Sequence, residues 1–282
     1  MRVDAHIHFW DPVRTPQPWM TEEHAAINRA FGPGDIEPLA ERSGVDAVIL
    51  VQGACLDSDT DDLFDAAAAS PLIGAVTAWV DLLAPERAAA RLDELLRRPK
   101  MRAIRHLIHN EPDHWIRQPA ALESISLLEQ RDLILEAPVV YPRHFDDMVA
   151  LAGRFPRLRL VIDHLGKPPL GNSEMRRWES ELRQCADCPN MLAKVSGLNT
   201  VLARTWTSDD FRPAVEVALD CFGCERLMCG SDWPVALLNG TYDQVWRANV
   251  ELATVVAGDD AEKLLGENAR RIYQIESQSA TA

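Results

Sequence analysis

The strongest constraint on the fold is a rhythm of eight short apolar runs, each closing on or beside a polar or charged residue. The first ends at His8; the others occupy 46–51, 73–79, 101–105, 133–137, 158–163, 191–195 and 226–230. Runs of about four to eight residues rich in Val, Ile and Leu read as strands buried on both faces. Between most of them lies one amphipathic segment. Pro85 and Pro119 each open one, carrying Leu92, Leu95 and Leu96 in the first and Leu122, Ile125 and Leu128 in the second. Pro142 precedes a third; Ser173 and Ser208 are expected to cap two more.

Strand and helix alternating every 25–45 residues or so imply a parallel sheet, and eight such units close into a TIM (β/α)8 barrel, an α/β fold of one domain. An open doubly wound sheet is the runner-up, but no Gly-x-Gly-x-x-Gly follows the first strand. The domain is expected to span 1–276, with a Ser/Gln/Ala-rich tail at 277–282 frayed. The stretch 9–38, with Trp10, Trp19 and little periodicity, reads as a lid.

A barrel of this kind presents its chemistry at the carboxyl ends of the strands. The polar residues there are His6, His8, Gln52, Arg105, His106, Glu136, Asp163, His164, Lys194 and Asp232. Ions are costly to bury alone, so their convergence calls for a polar cavity. His6 and His8 share a strand face by period two and form a metal clamp or an acid/base pair. Asp232 ends the last run and is a candidate base; the other possibility is a helix cap. Arg105 and Lys194 could serve only to balance Glu136 and Asp163. Asp163, next to His164, is expected to face the opposite way and pack behind the barrel. Trp10, Trp19 and Trp233 fit either the core or the CH face of a sugar.

The charge excludes some partners. With 43 acidic against 29 basic side chains the net charge is −14 and nothing basic clusters, so neither nucleic acid nor an anionic membrane is expected. No apolar run approaches the ~20 residues of a membrane helix. No secretory signal precedes the His motif, which points to the cytoplasm. Cys185-x-x-Cys188 and Cys221-x-x-Cys224 are separated by residues 189–220, longer than the ribbon spacing of about 15–20, so they are expected to be reduced thiols without zinc.

Five separated motifs carry a resemblance that spans nearly the whole chain. They are Asp4-Ala5-His6-Ile7-His8-Phe9-Trp10, Ile104-Arg105-His106, Val161 through Pro168, Lys194-Val195-Ser196-Gly197-Leu198 and Gly230-Ser231-Asp232-Trp233-Pro234-Val235. In this order they resemble the amidohydrolase superfamily, in its sugar-lactonase and pyrone-dicarboxylate-lactonase branch. The resemblance implies a hydrolase opening a sugar-acid lactone of the L-fucono or L-rhamnono type, with a small-molecule lactone as its partner and a homo-oligomer as a possible state. It implies Asp232 as the base activating water, with His6, His8 and His164 beside it. Arg105, His106, Lys167, Glu136 and the tryptophans Trp10, Trp19 and Trp233 would bind substrate. Two-metal members carry a carboxylated lysine on strand four and a histidine on strand five, where this chain has Arg105-His106 and Glu136. That leaves one zinc-like divalent ion on His6, His8 and Asp232, with Glu136 or His164 as a further ligand, or metal-independent hydrolysis. A metal-dependent decarboxylase and a non-catalytic sugar-binding barrel are the alternatives.

Overall fold

The computed structural model describes residues 1–276, so the predicted frayed tail lies outside the described residues. Eight parallel strands lie in sequence order: β1 (Val3–Ile7), β2 (Ala47–Val51), β3 (Ile73–Ala78), β4 (Met101–Arg105), β5 (Ile134–Ala137), β6 (Arg159–Ile162), β7 (Met191–Val195) and β8 (Leu227–Cys229). Eight helices follow them in turn: α1 (Pro33–Ser43), α2 (Asp57–Ala69), α3 (Pro85–Leu95), α4 (Pro119–Gln130), α5 (Phe145–Arg154), α6 (Met175–Ala186), α7 (Ser208–Phe222) and α8 (Tyr242–Ala257). The expected barrel is therefore the fold. None of these helices is long and apolar enough to cross a membrane.

Closure is made beyond the ends of the regular strands. Ile7 bridges Trp233 in parallel, His8 N donates to Trp233 O at 2.7 Å and Asp232 N donates to His6 O at 2.8 Å. The seam between β1 and β8 thus passes through the two histidines and the terminal aspartate. Gly230 is required there, because a Cβ on it would sit 2.8 Å from His6 Cβ and 2.9 Å from His6 N.

Two cores result, as a closed sheet demands. Inside the barrel, Ala5, Ala47, Ile49, Ala75, Ala103 and Val161 pack together with Ile272 and Tyr273 from the C-terminal helix α9 (Asn268–Ile272) and the turn after it. This segment plugs the amino-terminal mouth. Outward-facing Val48, Leu50, Val76, Leu135 and Leu160 pack with the apolar stripes of the helices.

Local chemistry explains the helix starts and corrects three expectations. α6 begins after Glu174, whose N–H is capped by Asn172 Oδ1 at 3.1 Å, and α7 begins after Thr207, whose N–H donates to Asp210 Oδ2 at 2.8 Å. Neither Ser173 nor Ser208 is the cap. The lid stretch is also shorter than expected: from Pro33 it is helix, with Pro33 in the first turn and Asp35 Oδ2 accepting from Gly32 N at 3.0 Å. Before that, Trp10 pairs with Phe31 in an antiparallel bridge and Glu22–Ile27 forms a 3-10 turn. Residues Cys185 and Cys188 spend their thiols on carbonyls of Phe145 and Gln184, and all six cysteines are free.

The Gly230→Ala variant should lose about 1–3 kcal/mol by overpacking and melt several degrees lower, together with much of its activity, since the added methyl pushes β8 from β1. Thermal unfolding within about 1 °C of the parent would show that the seam has room to spare.

Candidate active site

A cavity of about 290 Å³ opens at the carboxyl ends of the strands. It is lined by His8, His164 and Asp232, by Arg105, Lys167 and His109, and by Trp10, Trp19 and His24 from the covering loop. That size suits a small molecule, at the low end for a ligand site.

The chain builds this floor with three local devices. The first is on β1. Val3 and Ala5 belong to the inner core while Ile7 lies in the outer one, so the side-chain alternation slips once, and the β1–β2 register shifts between Asp4 and Ile7. Asp4 Oδ1 accepts from His6 N at 3.2 Å and from Ser231 N at 2.8 Å, which holds the irregular segment to the seam. Burial raises the Asp4 carboxyl to about 6. Such bulges re-aim side chains, and here both His6 and His8 enter the barrel.

The second device is the turn after β6. Inner Val161 and outer Ile162 put Asp163 inside by simple alternation, and the backbone then turns left-handed at His164 (φ 56°) and Leu165 (φ 51°). Adjacent residues are thus both delivered to the site. The expectation that Asp163 packs behind the barrel is wrong: it is fully buried, accepts from Arg105 Nε at 2.8 Å, and lies 3.4 Å from His6 Nδ1. The third device is Asp232 itself, at φ 61°, a conformation that aspartate tolerates better than most residues. Gly197 (φ 62°) makes room between it and His164; a Cβ there would lie 2.8 Å from both Asp232 Oδ2 and His164 Nδ1.

The resulting cluster is compact. His6 Nε2 lies 3.1 Å from His8 Nε2 and 3.7 Å from Asp232 Oδ1, and His8 Nε2 lies 3.2 Å from Asp232 Oδ1. Donors held by one ion at about 2.0–2.1 Å stand about 3.4 Å apart at tetrahedral angles. The three atoms therefore fit a single divalent ion, and His6, Asp163 and His164 form a second metal-capable grouping. Among the described residues, neither grouping includes Glu136 or a cysteine.

Electrostatics set the buried carboxylates of the cluster apart from His6 and His164. Burial alone would push the Asp232 carboxyl up, but His164, His8 and His6 around it outweigh that and hold it well below the usual carboxylate range. Burial lowers His164 to about 4 and, with Lys194 beside it, takes His6 well below an ordinary imidazole. His6 and His164 are therefore neutral beside an ionised Asp232 at pH 7.

Several predicted substrate binders sit elsewhere. Glu136 is sealed below the site: Oε1 accepts from Thr77 Oγ1 at 2.5 Å and from Tyr273 Oη at 2.6 Å, and Oε2 from Lys194 Nζ at 2.5 Å. His106 turns away, stacked on Trp115 at 4.1 Å, with Nδ1 accepting from Trp79 Nε1 and Nε2 donating to Glu111. Trp233 is core, edge-on to Phe9 and Phe31. Trp10 and Trp19 do reach the cavity, Trp19 Nε1 donating to Gly53 O at 2.8 Å. Arg105 reaches it too, fixed by Asp163 and by Nη1 donating to Gln52 O at 2.9 Å. His109 and His24, overlooked in the sequence, lie on 3-10 turns in loops where no strand-end rule applies.

The family model described as Amidohydrolase matches residues 3–275. An L-fucono-1,5-lactonase of Burkholderia ambifaria is 38% identical over 283 residues, covering 99% of this chain and 97% of that protein. A second L-fucono-1,5-lactonase, from Burkholderia multivorans, is 33% identical over 87% of this chain and 86% of its own length. An amidohydrolase crystal structure from Burkholderia multivorans with bound zinc is 31% identical, with a TM-score of 0.90 over 98% of this chain and 100% of that one.

His109 supplies a pH test. Its pKa falls to about 3, through burial first and then the nearby Arg105 and Lys167, whereas in the unfolded chain it titrates near 6.5. Between those values the unfolded state binds the extra proton, so this contribution to stability is lost as pH falls below about 6.5. Urea unfolding at pH 7 and 4.5 should show a drop smaller by about 2–3 kcal/mol in His109→Gln than in the parent; equal drops would mean that His109 titrates normally in the fold. The full-length family match, together with strand-end histidines and an aspartate on the barrel seam, identifies the chain as a member of the amidohydrolase family.

Proposed function

We propose that this enzyme hydrolyses a sugar-acid lactone of the L-fucono-1,5-lactone kind, with Asp232 as the base that activates water. One observation carries the reading: an ionised, buried carboxylate faces a small cavity beside the neutral His164 and two cations, in a chain 38% identical over its length to an L-fucono-1,5-lactonase.

The chemistry follows from the residues. Water attacks the ring carbonyl carbon and gives its proton to the Asp232 carboxylate. The carbonyl oxygen becomes an oxyanion, which needs donors in a site poor in water. Because burial keeps His6 and His164 neutral, the fixed positive charge is supplied by Arg105 and Lys167. Collapse of the tetrahedral intermediate breaks the bond to the ring oxygen, which takes the proton held on Asp232 and leaves as the alcohol of a hydroxy acid, whose new carboxyl group releases its proton to solvent. The new carboxylate then faces the same two cations, Arg105 as a fork and Lys167 as a point charge. Trp10 and Trp19 offer apolar faces to the CH groups of the ring, and His24, Asn110 and Thr200 line the cavity as hydrogen-bonding groups.

His6, His8 and Asp232 would hold a divalent ion, with His164 the nearer candidate for a further ligand than Glu136. When bound, such an ion supplies Lewis acidity to the carbonyl and to the attacking water.

The Asp232→Asn variant should fold normally and lose about 10²-fold or more in kcat on L-fucono-1,5-lactone, followed by proton release. Retention of more than a tenth of the parent kcat would rule out Asp232 as the base. Evolution of CO₂ in place of a hydroxy acid would favour the decarboxylase alternative. His6→Ala should abolish any stoichiometric zinc measured by elemental analysis; zinc retained one-to-one would remove His6 from the ligand set.

A further inference from the structure

One buried carboxylate outside the cavity holds both groups that grip a residue lining it. Trp19 Nε1, in the covering loop, is shared between two acceptors, Gly53 O at 2.8 Å and Gln17 Oε1 at 3.1 Å. Asp59, in the first turn of α2, takes the same two residues from behind: Gln17 Nε2 donates to its Oδ1 at 3.1 Å and Gly53 N to its Oδ2 at 3.0 Å. The orientation of the Gln17 amide is thereby fixed, because an ionised carboxylate only accepts and an indole N–H only donates. Gly53 lets the two arms come together: a Cβ on it would lie 3.0 Å from Gln17 Oε1 and 3.4 Å from Trp10 Cε3.

Stability does not account for this arrangement. Asp59 is buried, and its hydrogen-bond partners are the Gln17 amide and the N–H groups of Gly53 and Ala54, all uncharged. Burial raises its carboxyl to about 6 in spite of these bonds and of the weaker pull of His8. A carboxylate buried without a cation is costly, where an apolar side chain would not be. What Asp59 holds is a wall of the cavity: Trp19 lines it, edge-on to Trp10 at 5.4 Å and to His24 at 5.2 Å, while neither Gln17 nor Asp59 lines it. The loop itself is tied down separately, by Trp10 pairing with Phe31 and by Thr15 Oγ1 donating to Asp62 Oδ2 at 2.7 Å.

We propose that Asp59 and Gln17 are positioning residues for substrate binding: they set the Trp19 indole as the wall on which the lactone ring lies, and so act on KM and not on the chemical step. This rests on the sugar ring meeting Trp19, as in the proposed function. Contacts to the CH face of the ring are alike in the ground and transition states, so losing them weakens binding with little change in kcat. Asp59→Asn breaks one arm whichever way the new amide turns. With its oxygen on Gly53 N–H, its NH2 group meets Gln17 Nε2, and a flipped Gln17 amide would only move that clash to Trp19 Nε1; with its oxygen on Gln17, its NH2 group meets Gly53 N–H. Combining Asp59→Asn with Gln17→Glu restores both arms, since the amide at 59 then accepts from Gly53 and donates to the carboxylate at 17, whose other oxygen accepts from Trp19.

The test pairs kinetics on L-fucono-1,5-lactone with water-exchange NMR of the Trp19 indole N–H, whose signal is assigned by its loss in Trp19→Phe, both in full-length protein at pH 8. The expected result is a protected N–H in the parent. In Asp59→Asn and in Gln17→Leu it should exchange about tenfold faster, with KM up about tenfold, the scale of one lost hydrogen bond, and kcat within about twofold of the parent. The Asp59→Asn and Gln17→Glu pair should bring exchange and KM back to within about threefold of the parent. A KM unchanged within about twofold in both single variants overturns the proposal, and so does a kcat that falls in step with kcat/KM, or a folded pair that recovers neither readout. If the single variants fail to fold, the parent and the pair decide: a Trp19 N–H that exchanges as fast as a free indole in the parent overturns the proposal, and a protected N–H in both supports it. A parent that leaves L-fucono-1,5-lactone intact sinks the lactonase reading, and the indole exchange of the variants then decides whether Asp59 and Gln17 position Trp19.

Discussion

Two backbone hydrogen bonds, from Asp232 N to His6 O and from His8 N to Trp233 O, close the barrel and at the same time fix the three side chains on which the site depends. Parallel strands pair through evenly spaced bonds that leave little freedom in register, so closure sets how far Asp232 stands from His6 and His8. Neighbouring contacts reinforce the seam. Asp4 Oδ1 takes the N–H of Ser231, Asn249 on α8 donates to Gly230 O at 2.9 Å, and Gly230 allows the two strands to approach.

Below the seam runs a column of buried polar groups, from Tyr273 at the plugged mouth through Glu136 and Lys194 to His6, with Asp163 and Arg105 beside it. Replacing such ion pairs by packed apolar groups is often neutral or stabilising, so stability alone does not explain them. Their effect here is orientation: each charge is held by a second contact on the side away from the cavity, so little freedom is left to His6 or Arg105. Against a net charge of −14 for the chain, the cations Arg105 and Lys167 line the cavity.

The barrel was legible because a closed parallel sheet leaves a strong trace: short runs buried on both faces, separated by amphipathic helices opened by Pro85 and Pro119. Strand-end logic likewise pointed to His6, His8, His164, Arg105 and Asp232. It failed where the backbone leaves the regular path. Period two could not foresee that left-handed residues after Ile162 would bring Asp163 and His164 to one site, nor that β1 slips its alternation between Asp4 and Ile7. Glu136 lies one layer deeper than the strand ends, and His106, one residue past β4, already follows a turn that stacks it on Trp115. Pro and Gly concealed the start of α1, since Pro33 and Gly34 read as loop until the bond from Gly32 N to Asp35 is seen. His24 and His109 come from loops, where residue type carries no periodic signal.

In the proposed reaction the lactone carbonyl sits at the β1–β8 seam, with water between it and residue 232. A crystal structure of the Asp232→Asn protein with L-fucono-1,5-lactone tests this directly. The predicted result is a water hydrogen-bonded to Asn at 232 and about 3–3.5 Å from the carbonyl carbon, with the sugar ring towards Trp10 and Trp19 and the carbonyl oxygen towards Arg105 and Lys167. A lactone whose carbonyl lies away from the seam, with no water between it and residue 232, would contradict the claim.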